Sequence, residues 1–348
     1  MKAVPWKKIV EEYASPLIHP ALYSIASLQT CKLLGVTSWS VLMEYKNRSM
    51  KWCFSAPDPS LVFIEEAKAL FKKLEDPRFL AEVDARGRQT LEKLLNAAET
   101  LRQEELYSLD NPALAERFEE LAKLWTEMNV WGHFANVADF DHFMLTNKIN
   151  AFLAEKVSES KAEISVPEAF AVLTTPLEKT PVIQQDRDFF SILAMIQSDA
   201  LAREVFKQPT HVILKQMEEF PEIDHAIHEH AYKYDWLQFH YDGPTVLNEE
   251  YFVESLAAEI RQGVDGKQKL RELDEKNAAT TERQQQLEKE LGLGKEEKYW
   301  MKVAHTFMFL KALRKDAVFQ ASCWSDGLVK EIATRLSLSP PPSEADDP

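Results

Sequence analysis

The sequence predicts an all-α protein, a two-lobed multi-helix bundle with one small β-hairpin near its N-terminus. Three observations carry this expectation. Apolar residues recur at spacings of three and four along most of the 348-residue chain, the mark of helices with one buried face. Proline stands at the head of several of these stripes, as in Asp76-Pro77 and Asp110-Asn111-Pro112, where it starts a helix. A convincing strand pair occurs once, and no repeat of solenoid period interrupts the pattern.

Residues 6–13 read as a short helix stopped near Ser15-Pro16. Pro20 opens a helix to about Leu34, with Leu22, Ile25, Leu28 and Leu33 on one face, and Gly35 ends it. Trp39–Tyr45 and Met50–Phe54 flank the polar Lys46-Asn47-Arg48-Ser49 and form a β-hairpin, about 39–54, that must lie on helices to be stable. Asp58 caps a helix that has Pro59 in its first turn and the stripe Phe63, Ala67, Leu70, Phe71, Leu74. Asp76-Pro77 starts the next, to roughly Gln103. Asp110 starts another on Leu114, Phe118, Leu121 and Trp125, and residues 130–155 continue helical.

A polar run, Lys156–Lys161, followed by Pro167, Pro176 and Pro181, places a boundary near 160 between lobes 1–160 and 161–338. Thr174–Pro181 is a loop, and Lys179 and Arg187 lie on loop-like ground. Pro209 and Pro221 open two helices, and Glu249–Ile260 forms another. Residues 265–291 offer only Leu270, Leu273 and Leu287 for burial, so they read as a solvated polar helical arm. Lys295–Lys315 and Ala317–Leu336 are two amphipathic helices, and the proline-rich, acidic residues 339–348 read as a disordered tail.

Composition bounds the chemistry. A formal charge of −15 repels nucleic-acid phosphates and anionic lipid headgroups, so neither is expected as a partner. With 9 glycines and no G-x-G-x-x-G or Walker run, no phosphate-cradling loop is in view. Cys31, Cys53 and Cys323 are odd in number and far apart, which suits a reducing cytoplasm. The first residues lack an apolar signal core, and no run of about 18 apolar residues occurs. No nucleophile elbow or H-E-x-x-H pair occurs either.

The stretch 225–244 concentrates four histidines, three tyrosines, a tryptophan and a lysine before Gly243-Pro244. Two arrangements within it bear chemistry. Glu222 and His225 lie one helical turn apart, a carboxylate–imidazole spacing that chelates metals, and Asp139-x-x-His142 repeats it on an earlier helix. Any acidic helical protein offers such carboxylate–histidine pairs by chance. His230, Lys233 and Trp236, with Tyr241 just beyond, supply imidazole, ammonium, indole and phenol donors for a carboxylate or phosphate. A buried aromatic helix end would use the same residues. Lys311, Arg314 and Lys315 gather at an expected helix C-terminus, where they compensate the helix dipole or hold an anion.

Four pieces of sequence, in this order, carry a family resemblance. They are Val41–Asn47 with Lys51-Trp-Cys-Phe54; Glu75-Asp-Pro-Arg-Phe79; His230-Ala-Tyr-Lys-Tyr-Asp-Trp-Leu237 with Tyr241-Asp-Gly-Pro244; and Phe309–Asp316 with Leu328–Leu336. Over most of 1–338 the chain resembles the helical region of proteins related to phosphoenolpyruvate (PEP) synthase, the PEP-utilising enzymes with a mobile domain. The resemblance implies a connector that positions substrate for a swivelling phosphohistidine domain and a nucleotide-binding domain. This sequence has no Gly-rich histidine motif and no ATP-grasp-like region, so no catalytic residue carries over. What it implies is a non-catalytic component, whether stand-alone, split or truncated, with a small phosphorylated or carboxylated ligand, a separate catalytic subunit, and Mg²⁺ only as part of phosphoryl transfer. Its contact residues are expected to be His230, Lys233, Trp236, Tyr241, Arg314 and Lys315. The alternatives are an interaction scaffold using 265–291 and a metal-dependent helical enzyme on Asp139, His142, Glu222 and His225.

Overall fold

A computed structural model of the chain describes residues 6–13, 18–36, 40–46, 49–55, 63–140, 142–240 and 243–337. These are predominantly helical. They divide into two compact units, one built from 1–140, 239–244 and 314–348, the other from 141–238 and 245–313. Residue 160, at the compositional boundary, falls inside the second unit.

In the first unit the helices are α1 (Ile18–Leu34), α2 (Ile64–Leu74), α3 (Pro77–Gln103), α4 (Asn111–Asp139) and α14 (Asp326–Arg335), joined by the part of α13 (Lys295–Trp324) from Arg314 onward. The capping chemistry is local and explicit. Asp76 accepts from the Arg78 amide at 3.0 Å, and Asp110 from the Ala113 amide at 2.9 Å, with proline in the first turn of each helix. Leu94, Ala98 and Leu101 of α3 meet Leu114, Leu121, Trp125 and Met128 of α4 and Ala317, Val318 and Ala321 of α13. Each large apolar side chain buried there contributes roughly 1.5–3 kcal/mol.

Residues 40–46 (β2) and 49–55 (β3) have strand geometry and pair antiparallel, and 6–13 (β1) pairs with β3 on its other side. The expected helix at 6–13 is thus replaced by a strand; an isolated two-turn helix is marginal in water. The turn residues Asn47 and Arg48, the cap pair Asp58-Pro59 and the tail 339–348 lie outside the described residues.

The second unit holds α5 (Met144–Glu159), α6 (Val166–Thr174), α7 (Pro181–Ser198), α8 (Ala200–Val205), α9 (Thr210–Gln216), α10 (Pro221–Tyr234), α11 (Glu249–Gln262), α12 (Gly266–Glu290) and α13 up to Leu313. Ile223, Ile227, Ala231 and Tyr234 form one stripe of α10. They pack with Leu193 and Ile196 of α7, Phe206, and Phe252, Leu256 and Ile260 of α11.

Several boundaries differ from the sequence expectation. Helix does not run through 130–155: α4 ends at Asp139 and α5 begins at Met144, with Phe143 left-handed at φ 49°. Neither glycine nor proline announces that break. Pro181 is the first residue of α7, so Arg187 stands on a helix, not on a loop. The expected break at Asp316 is absent; α13 runs unbroken to Trp324, because Lys315-Asp316-Ala317 holds no breaker. Lys311, Arg314 and Lys315 are therefore mid-helix, and dipole compensation does not explain them.

The polar arm at 265–291 is one helix, α12, and it is anchored rather than free-standing. A β-carbon on Gly266 would sit 2.7 Å from the Ala194 amide nitrogen, so glycine lets α12 start directly on α7. Near its other end the buried Gln284 amide donates to the Val172 and Thr175 carbonyls, each at 2.8 Å, and Leu287 is fully buried. Between these anchors, residues 274–279 are exposed.

Candidate functional site

In the second unit a polar cluster joins α7 to α10. Residues 184, 185 and 188 of α7 share one face through the helical repeat, as do 230, 233 and 234 of α10. Asp188 Oδ2 accepts from Tyr234 Oη at 2.7 Å and Lys233 Nζ at 2.8 Å, while Oδ1 accepts from Gln184 Nε2 at 2.9 Å. Partial burial pushes the Asp188 pKa up, but the hydrogen bonds from Lys233, Gln184 and Tyr234 outweigh it and hold the carboxyl below its ordinary value. Burial, reinforced by Asp188, pushes the Tyr234 phenol far above its ordinary range.

His230 is buried between Tyr234 and Phe252, with ring centroids 4.8 Å away in each case. Its Nε2 meets the Gln185 amide nitrogen at 3.3 Å, and its Nδ1 has no hydrogen-bond partner among the described residues. Burial lowers its pKa to about 4, so the ring is neutral at pH 7. Trp236 is buried, and its indole N–H donates to the Lys233 carbonyl at 3.0 Å. Lys233 itself is exposed, lies 4.9 Å from the Tyr234 ring centroid, and is neutralised by Asp188. Chemically this cluster is a satisfied ion pair stacked on aromatics, with little left over to hold an external anion. Tyr241 lies outside the described residues.

The first unit contains a different arrangement around Arg314 of α13. The guanidinium carbon lies 5.5 Å from the Tyr23 ring centroid, and Nη1 donates to Tyr23 Oη at 3.4 Å. Tyr23 Oη also meets His133 Nδ1 at 2.9 Å and accepts from Asn136 Nδ2 at 3.0 Å, so α1, α4 and α13 converge on one hydroxyl. Gly132 makes room for this: a β-carbon there would lie 2.5 to 2.8 Å from Cβ, Cγ and Cδ of Arg314. His133 is buried, and burial first, then the Arg314 charge, lowers its pKa to about 3.

Arg314 is half-buried. Among the described residues no carboxylate lies within ion-pair distance of its guanidinium; the neutral Tyr23 hydroxyl is its hydrogen-bond partner. A guanidinium partly removed from water without a counter-charge is energetically unfavourable, and an incoming carboxylate or phosphate would relieve it with paired N–H donors. Lys315, next in sequence, is exposed, with Nζ 5.5 Å from the Phe319 ring centroid.

The sequence singled out Arg314 but not Tyr23, Gly132, His133 or Asn136. One signal was available: Trp131-Gly132-His133 places one of only 9 glycines within a helical pattern, which often marks a close approach.

For the metal alternative, Glu222 and His225 are exposed on α10, and Asp139 and His142 are half-buried at the α4–α5 break. Asp139 belongs to the first unit and His142 to the second. Among the described residues no three His, Cys, Asp or Glu side chains are grouped to hold a metal ion. No described helix is long and apolar enough to cross a membrane.

Compared with protein families, with curated proteins and with solved structures, the chain matches none.

Proposed function

We propose that this chain is a helical substrate-positioning or connector component of a PEP-utilising phosphotransferase system, not catalytic on its own, working in the cytoplasm with a separate catalytic subunit. The observation that supports this reading is Arg314: half-buried, stacked on Tyr23, beside a neutral histidine and without a carboxylate partner among the described residues. PEP carries both a phosphate and a carboxylate, and the planar guanidinium fork matches either group bidentately. Lys315 adds a second, exposed cation one residue on. Mg²⁺ would enter with the phosphate, through the catalytic subunit. The small N-terminal hairpin, about residues 39–54, belongs to this proposal as an accessory of the helical body.

Isothermal titration with PEP tests it. The wild-type chain should bind, and Arg314→Ala should weaken binding at least tenfold, about 1.4 kcal/mol. A wild-type chain that does not bind PEP, or equal affinity in the variant, rejects the assignment.

The exposed middle of α12, residues 274–279, supports a second reading as an interaction scaffold. Charge reversal at Glu275 and Lys276 would abolish a partner contact in that case while leaving PEP affinity unchanged.

A further inference from the structure

A second, independent site is suggested by a cavity in the second unit. Its volume is about 380 Å³, and it is lined by Arg203 and Lys207 from the α8 side, by Gln197 and Ser198 at the end of α7, and by Asp265 and Lys267 at the start of α12. Three cations and one carboxylate thus face the same space, a lining of net +2 in a chain whose formal charge is −15.

The lone carboxylate is already occupied. Asp265 caps α12, accepting from the Gln268 amide at 2.9 Å. Lys207 forms a solvent-exposed pair with Glu204 at 2.6 Å, which contributes little and yields readily to a better anion. Arg203 and Lys267 have no carboxylate within ion-pair distance among the described residues. Two contacts make the wall rigid. The Gln197 side chain accepts from the Gly266 amide at 2.9 Å while donating to the Val264 carbonyl, and Gly266 is pressed on the α7 backbone. A cation-lined recess of a size suited to small molecules, on fixed helices, concentrates anions from solution.

We propose that this cavity binds a small phosphorylated molecule, with Arg203, Lys207 and Lys267 holding its phosphate oxygens. Its lining residues belong to the second unit and Arg314 to the first, and the proposal does not depend on the functional one above.

Inorganic pyrophosphate is a suitable probe, titrated calorimetrically into the full chain carrying Arg314→Ala, so that no signal arises from that arginine. Binding should persist in this protein and weaken at least tenfold when Arg203→Ala and Lys267→Ala are added. Both added positions are exposed, and unchanged melting temperatures will confirm that the fold is intact. The proposal is overturned by absence of pyrophosphate binding in the Arg314→Ala chain, or by equal affinity after the two further substitutions. It is also overturned if the chain sediments with phosphatidic acid vesicles but has no affinity for pyrophosphate, since the anion recognised would then be a lipid headgroup.

Discussion

The side-chain stem of Arg314 occupies the space that a β-carbon on residue 132 would need, and residue 132 is glycine. This relationship fixes where the guanidinium lies, because it lets α13 bring Arg314 flat against α4 and over Tyr23.

Gly132→Ala follows from it directly. In an ordinary helix interior this change would stabilise by about 1 kcal/mol. Here the new methyl meets Cβ and Cγ of Arg314, not only the flexible end of the side chain, and overpacking of this kind typically costs about 1–3 kcal/mol. We expect a lower melting temperature together with weaker PEP binding. A stabilised variant with unchanged affinity would show that the two helices part at no cost.

The two buried histidines make stability depend on pH. His133 and His230 have folded-state pKa values of about 3 and about 4, below the ordinary value near 6.5. Below pH 6.5 the unfolded chain takes up protons that the folded chain refuses, so stability falls as pH drops and is recovered as it rises. At pH 5 each histidine should cost about 2 kcal/mol relative to pH 7. Urea unfolding at both pH values, on the wild-type chain and His230→Phe, reads this out; the variant should lose about 2 kcal/mol less over that interval. An identical pH response in both proteins would place His230 in contact with solvent.

Asp188 gives a dependence in the acid range. Its folded pKa is depressed by its three donors, so its contribution is present above the unfolded carboxylate value and is lost as pH falls through the lower folded one. Tyr234→Phe removes one charge-assisted donor and should destabilise by about 1.5–3 kcal/mol at pH 7. Because Lys233 is already neutralised, Lys233→Ala should change PEP affinity less than twofold. A tenfold loss in that variant would move the ligand site to α10.

Gln284 tests how α12 is held. Replacing it by alanine leaves the Val172 and Thr175 carbonyls without this donor, which costs about 1–3 kcal/mol for each group that water does not reach. Hydrogen exchange should quicken along α12 before the rest of its unit. Uniform protection in the variant would mean that Leu287 and Gly266 suffice as anchors.

Much of the helical framework was legible in the sequence, for local reasons. Asp76 and Asp110 cap within three residues, and proline declares the first turn of α3, α4 and α10. Boundaries set by tertiary contact were not legible. The α4–α5 break has no glycine or proline, and α13 continues through Asp316, which is buried. The sites divide in the same way. Lys233 and Arg314 stood out as residue types, but what distinguishes them is their partners. Asp188 lies 45 positions from Lys233, and Tyr23 lies 291 from Arg314. Nothing in local spacing says that the first cation is neutralised and that the second meets no carboxylate among the described residues.

The most direct measurement is PEP affinity by isothermal titration for the wild-type chain, Arg314→Ala and Arg314→Lys at pH 7. We expect binding in the wild type, at least a tenfold loss in Arg314→Ala, and partial recovery in Arg314→Lys, which restores the charge without the bidentate fork. Equal affinity in all three proteins, or none in the wild type, would contradict the assignment of Arg314 as the anion-holding residue.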